Sequence, residues 1–202
     1  LFMIFVLILK KGSEKMKKLA FYSIERSNEI SESYIKKLVE KLRKNGAEQC
    51  RIYEQELEGE KYFFGFIETE KSFESDWMSA RHVYEFAQRD GDDFTNLEKR
   101  GIIIGVADGK LEEYVRLHDE QPQIIHDLCY QNGFRKSSIF AFPTLSGNWY
   151  LLQFVEYKGK EDPRLYENPT YQEWLRVTGE CQKPLPGEKF WKDMKLLFQY
   201  RK

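Results

Sequence analysis

Tyr114 and His118 stand four residues apart in the stretch LEEYVRLHDEQPQIIHDL, residues 111–128. On an α-helix that spacing stacks both side chains on one face, with Cβ atoms roughly 5–6 Å apart. An imidazole with an ordinary pKa of about 6.5 can take or give a proton near neutral pH, whereas a phenol near 10 is better suited to orienting a bound molecule. The apolar stripe of the segment runs Leu111, Tyr114/Val115, His118, Pro122, Ile125 and Leu128/Cys129, so the histidine lies on the side that packs inward. Pro122 has no N–H to give to the carbonyl of His118 and disfavours helix at Gln121, which predicts a bend or restart just after the histidine. A backbone irregularity beside a half-buried imidazole suits a small-ligand pocket. The same spacing also fits a core histidine that fills a gap and donates one hydrogen bond, beside a core tyrosine.

Other chemistry is thinly represented. The three histidines, His82, His118 and His126, show no metal-ligand spacing among themselves or with the cysteines, so no metal site is expected. Cys50, Cys129 and Cys181 are widely spaced and form no CxxC pair, which reads as reduced thiols of a cytoplasmic protein. His126 and Cys129 read as neighbouring core positions. Glu113 and Asp119 read as a solvated charged face, with Asp119 turned away from the histidine, and no second acid or base is assigned. The 32 Lys and Arg are cancelled by 33 Asp and Glu, leaving a net charge of -1 and no footprint for a nucleic-acid or membrane partner. Apolar residues make up 41% of the chain, enough for a globular core.

The elements that must position these residues occur in two similar runs. KLAFYSIE reads as a strand, SESYIKKLVEKLRKNG as a helix capped by Ser31 and stopped by Gly46, and EQCRIYEQELEGEKYFFGFIETE as two strands around Glu58-Gly59. SFESDWMSARHVYEFAQ reads as a second helix, which makes His82 a structural or surface residue. After a polar linker, RDGDDFTNLEKR, the order returns: a strand RGIIIGVADG, the Tyr114/His118 helix ending at Asn132-Gly133, two strands around Ser146-Gly147, a helix in RLYENPTYQEWLRVTGE and a closing strand in KFWKDMKLLFQY. Asn45-Gly46 aligns with Asn132-Gly133 and Ile52-Tyr53 with Ile139-Phe140. The expected fold class is α+β: two tandem ferredoxin-like βαββαβ units whose bare sheet faces pack against each other. The expected domains are 16–89 and 100–202, joined by a linker at 90–99. Residues 1–15, LFMIFVLILKKGSEK, are too short to span a bilayer and read as upstream sequence or a short membrane-associating segment, with the fold starting near Met16.

EEYVRLH, fifteen residues from His118 to Gly133, then SSIF, NWYLLQFVE and YQEWLRV resemble the L-rhamnose mutarotase family over about residues 100–200. QKPLPGE before the last strand supports the match. The resemblance implies a dimeric α/β barrel, here formed within one chain, and interconversion of the α and β anomers of a deoxy sugar without a cofactor. It implies that His118 is the proton donor, that Tyr114 contacts the sugar and that Trp174 lines the sugar site. The chain departs from the family at Phe140, where a substrate-contacting tyrosine is usual, at Leu175, where a second tryptophan is common, and at Gln121-Pro122-Gln123, where the family has W-P-E.

The expected protein is therefore a cytoplasmic sugar mutarotase acting on L-rhamnose or a related deoxy sugar, with His118 catalytic and Tyr114, Phe140 and Trp174 substrate-binding. Trp149 is a further side chain able to stack on a pyranose or to pack in the core. The expected partner is a small monosaccharide, with no nucleic acid and no stable membrane span. The N-terminal copy has Tyr34 but Leu38 where a histidine would be needed, so one site per chain is expected, in a monomer that acts as an internal pseudo-dimer. A non-catalytic sugar-binding or interaction module on the same frame is the competing reading. An oxidative enzyme of the wider barrel group, with His118 as haem ligand, is a third.

Overall fold

The computed structural model describes residues 16–24, 32–71, 76–86, 89, 91, 93–159 and 163–202. The N-terminal segment 1–15, the cap position Ser31 and part of the expected linker lie outside them. The N-terminal part contains β1 (Lys17–Ile24), α1 (Glu32–Lys44), β2 (Ala47–Leu57), β3 (Glu60–Thr69), β4 (Met78–Ser79) and β5 (Arg81–Glu85). It continues with β6 (Glu98–Val106), α2 (Leu111–Asp119), α3 (Gln123–Gln131), β7 (Phe134–Pro143) and β8 (Trp149–Tyr157). A 3₁₀ turn at Pro163–Glu167, α4 (Pro169–Gly179), β9 (Gln182–Lys183), β10 (Lys192–Asp193) and β11 (Lys195–Arg201) complete it.

Two antiparallel sheets result, ordered β11-β2-β3-β1-β4 and β10-β6-β8-β7-β5, with β9 also paired to β6. The middle of each has the ferredoxin-like order. The β2–β3 hairpin turns at Glu58 and Gly59, whose φ angles of 56° and 81° are those of a two-residue type I′ turn. Period-two alternation then sorts each strand between two layers. Tyr62, Phe64 and Phe66 of β3 face Phe140 and Phe142 of β7 and Phe154 of β8 across the gap between the sheets. The rings interlock, with centroids 4.6 Å apart for Phe66 and Phe154 and 5.0 Å for Phe64 and Phe142. Each such buried aromatic contributes about 1.5–3 kcal/mol by leaving water. Gly101 of β6 lets this layer close, because a Cβ there would stand 2.5 Å from the Tyr53 ring. This is a dimeric α/β barrel made by one chain.

The outer faces carry the helices. Ile35, Val39 and Leu42 of α1 cover Cys50, Ile52 and Ile67 of the first sheet. On the second sheet, α2 packs on Ile104, Ile139 and Leu151, while α3 and α4 pack on Phe134, Val155 and Tyr157.

Three features differ from the sequence expectation. SFESDWMSARHVYEFAQ is not a second helix: 78–79 and 81–85 are short strands, and 72–75 and 87–88 lie outside the described residues. Val83, Tyr84 and Phe86 are residue types that fit a pleated surface, and the open edge of β7 supplies the partner, so tertiary pairing overrides a weak helical period. Trp77 covers the sheet where that helix was expected, lying over Gly65 and donating Nε1–H to Tyr34 Oη at 3.1 Å. The second feature is an exchange of last strands. β5 leaves the first sheet to pair with β7, and β11 leaves the second to pair with β2. β6 also begins at Glu98, within the stretch expected to be linker.

Candidate active site

α2 ends where the sequence requires it to. Pro122 is extended, with φ -59° and ψ 136°, and stands as the N-cap of α3. The carbonyl of His118, which Pro122 cannot reach with a donor, accepts Gln121 N–H at 3.3 Å instead. The break turns the chain immediately beyond the histidine, and the side chains of Gln121 and His118 thereby meet β5.

His118 is 8% exposed and Tyr114 is 2% exposed. Three aromatic rings enclose the imidazole: Tyr114 with centroids 4.2 Å away, Tyr84 at 5.1 Å and Trp174 at 5.2 Å, the last two edge-on. His118 Nδ1–H donates to the Tyr114 carbonyl at 3.0 Å. A carbonyl oxygen can only accept, so Nδ1 carries the proton and Nε2 of the neutral ring carries the lone pair. Burial pushes the imidazole pKa down to about 4, against the opposing pull of the Tyr114 carbonyl and the Asp119 charge. The ring is therefore neutral at physiological pH, with Nε2 as its one proton-accepting atom. Burial also holds the Tyr114 phenol well above its ordinary range, opposed by a side-chain hydrogen bond with Gln182. Tyr114 stays protonated and can donate or accept a hydrogen bond but not serve as a base.

Trp174 belongs both to this cluster and to a cavity of 570 Å³ between the α2–α3 break and α4. Leu117, Pro122, Ile125, Pro169 and Val177 give it apolar walls, and Glu120 and Glu173 give it two carboxylates. Both carboxylates are engaged, Glu120 by Arg116 and Glu173 by Arg176. His118 does not line the cavity itself. α4 is fixed at its start by Asn168, whose side chain accepts from the N–H groups of Thr170 and Tyr171, with Pro169 following the cap.

The structure thus brings together three of the four residues singled out from sequence. Phe140 is not among them: its ring points from the opposite face of β7 into the layer between the sheets, 1% exposed, whereas its neighbours Ile139 and Ala141 face α2. The strand period decides this, since only alternate β7 residues can face the helices. Trp149 lines a different cavity, of 390 Å³, with Leu111 and Gly109 near the start of α2. Leu175 is 38% exposed. Of QKPLPGE, Leu185 packs in the layer between the sheets, and no residue of the segment lines the 570 Å³ cavity. His82 is on β5, edge-on to Phe140 and within 3.7 Å of Glu85, while His126 stacks on Phe86 at 4.1 Å beside buried Cys129. No group of three or more metal-ligating side chains occurs among the described residues.

Tyr84 is the member that sequence reasoning missed. It comes from the N-terminal part, on the exchanged strand β5, and its hydroxyl donates to Gln121 Oε1 at 2.7 Å, pinning the break after α2. The available signal was the short run RHVYEF, which supports strand as well as helix.

The L-rhamnose mutarotase family model matches residues 99–200, which hold α2, α3, α4 and every second-sheet strand except β5. No curated protein sequence matches the chain. Among solved structures, a protein from Fusobacterium nucleatum named provisionally as a monooxygenase is 12% identical, with a TM-score of 0.45 over 92% of this chain and 94% of that one. An anthrone oxidase-like protein is 11% identical, with a TM-score of 0.47 over 94% of this chain and 95% of that one. Among the described residues no helix is long and apolar enough to cross a membrane. With the helix that carries Tyr114 and His118 inside the matched half, the chain belongs to the L-rhamnose mutarotase family.

Proposed function

We propose that the protein is a mutarotase that interconverts the α and β anomers of L-rhamnose or a related deoxy sugar by acid/base ring opening, without a cofactor. The observation that carries this reading is the orientation of His118, whose Nδ1 is committed to the Tyr114 carbonyl so that Nε2 is the basic atom of a neutral ring. His118 takes the proton of the anomeric hydroxyl, the bond from C1 to the ring oxygen breaks, and the ring oxygen takes a proton from water. The open aldehyde rotates about C1–C2. Closure reverses each transfer on the other face, so His118 returns its proton and no group is consumed.

Trp174 offers the apolar face of a pyranose a stacking surface at the wall of the 570 Å³ cavity. A sugar reaches Nε2 from there when the Trp174 ring swings out of its edge-on contact with His118. Tyr114 and Tyr84 then orient the sugar or the imidazole through their protonated hydroxyls. A second reading, a sugar-binding module without catalysis, draws on the enclosure of His118 by three rings and on the engagement of both cavity carboxylates by arginines.

We also propose that the N-terminal part is a diverged copy that serves as a built-in partner, so that the active species is a monomer with one site. Mirrored contacts support this: Gln49 of β2 donates to Glu156 of β8 at 3.3 Å, and Lys136 of β7 donates to Glu68 of β3 at 3.2 Å. The three cysteines are buried and unbridged, which suits a reducing compartment such as the cytoplasm. The test is two-dimensional exchange NMR on equilibrated L-rhamnose, L-fucose and other hexoses. Faster α-to-β exchange on L-rhamnose or another deoxy sugar is expected, and no acceleration on any sugar contradicts the enzyme reading and leaves the binding module.

A further inference from the structure

We propose that the gap between the two sheets, at the edge where β11 faces β6, is a binding site for a small dianion of the phosphate-monoester class, separate from the His118 cluster. A cavity of 540 Å³ opens there, lined by Arg51, Lys99, Gln199, Tyr200, Arg201 and two leucines. Arg51 points inward from β2 and is 2% exposed. Its Nη2 donates to Glu156 Oε1 at 2.5 Å, and its guanidinium lies 4.8 Å from the centre of the Phe66 ring. Its other two nitrogens, Nε and Nη1, are not fully satisfied among the described residues, although the Tyr53 hydroxyl lies beside the same guanidinium. A buried guanidinium with donors unmet is a strong demand for an acceptor, because the charge has left water without full replacement.

Charge counting gives the ligand class. Three cations line the cavity, Arg51, Lys99 and Arg201, and one carboxylate, Glu156, pairs with Arg51 and also accepts from Gln49. Three positive charges less one negative leave two, which matches a dianion. The nearby acids are taken elsewhere: Asp193 by Arg100, Glu54 by Lys195 and Glu48 by Lys202. Crowding of the cations is felt at Lys99, whose pKa is pushed down by burial and, against the pull of Glu156, by the charges of Arg51, Arg201 and Lys136. A phosphate fits this set because it offers several acceptor oxygens to donors arriving from different directions. The volume exceeds that of phosphate alone, so a phosphorylated small molecule is the natural occupant.

The mirrored edge lacks these properties. Opposite Phe154, where Arg51 stands opposite Phe66, β7 has Ser138, which donates to Glu85. Lys18 there pairs with Glu85, and Lys136 with Glu68, so the cations are matched by carboxylates. The excess charge is thus a property of one edge and not of the barrel.

The experiment is calorimetric titration of the full chain with inorganic phosphate and with glycerol phosphate at constant ionic strength, and with succinate as the carboxylate dianion. Lys99→Gln and Arg201→Gln are the test variants, since both side chains reach the cavity from positions that tolerate an uncharged side chain, and Lys37→Gln on exposed α1 is the control. The proposal expects saturable binding of both phosphates, tighter for glycerol phosphate, weakened about tenfold or more by each test variant and unchanged by the control. Absence of saturable phosphate binding overturns it, as does binding that both variants leave intact. Succinate binding without phosphate binding overturns the phosphate assignment. Anomer exchange measured on Lys99→Gln is expected to equal that of the parent, so the two sites stand or fall separately.

Discussion

At His118 a single backbone contact fixes which nitrogen can do chemistry, and burial fixes when. Because Nδ1–H is held by the Tyr114 carbonyl and the pKa is pushed down to about 4, the acid limb of the exchange rate should fall near pH 4 to 5 and not near 6.5. A pH profile of the exchange rate checks this, and a midpoint near 6.5 would mean that the working imidazole is solvated. The same shift makes a stability prediction. Between about pH 6.5 and 4 the unfolded chain binds a proton at this histidine that the folded chain refuses, so acidification destabilises the fold by up to about 3 kcal/mol, with no contribution above 6.5. Urea unfolding at pH 7 and 4.5 should show this loss reduced in His118→Phe. At Trp174 the ring is both a neighbour of the imidazole and a cavity wall, so Trp174→Ala should raise KM for the sugar about tenfold, which steady-state kinetics would detect as a KM change larger than the kcat change.

The element that carries the site is the broken helix α2–α3, and it was legible in the sequence because one residue type, Pro122, forbids the alternative. The Glu58-Gly59 and Ser146-Gly147 hairpins and α4 were legible for similar local reasons: turn residues and clear periods. β5 was not, since five residues with Val83 and Tyr84 among them satisfy either period and the deciding partner, β7, lies more than fifty residues downstream. Missing β5 meant missing Tyr84, and with it the hydrogen bond that ties the exchanged strand to Gln121. Phe140 lies apart from the other three residues for a different reason, because positional resemblance does not say which face of β7 a residue occupies. Tyr84→Phe should cost about 1 kcal/mol of stability and loosen the break, read as faster amide exchange at Gln121 and Ile125 with the rest of the fold unchanged.

For the whole molecule, exchange of β5 and β11 means that neither part completes its own sheet: each sheet ends on a strand supplied by the other. The aromatic layer between them belongs to both. A protease site introduced at Gly91 should therefore yield two fragments that still migrate as one particle of 24.2 kDa and unfold in one transition, whereas separable fragments would show that the parts are independent domains. Phe142→Ala, at the centre of that layer, should cost about 3–5 kcal/mol and lower both parts together. This shared architecture brings Tyr84 against His118 from the far end of the chain's first part. The most direct test of the account is the α-to-β exchange rate of L-rhamnose measured by NMR with no protein, with the parent protein and with His118→Ala. Acceleration that returns to the uncatalysed rate in His118→Ala is the predicted result, and acceleration that survives the substitution would contradict His118 as the proton mover.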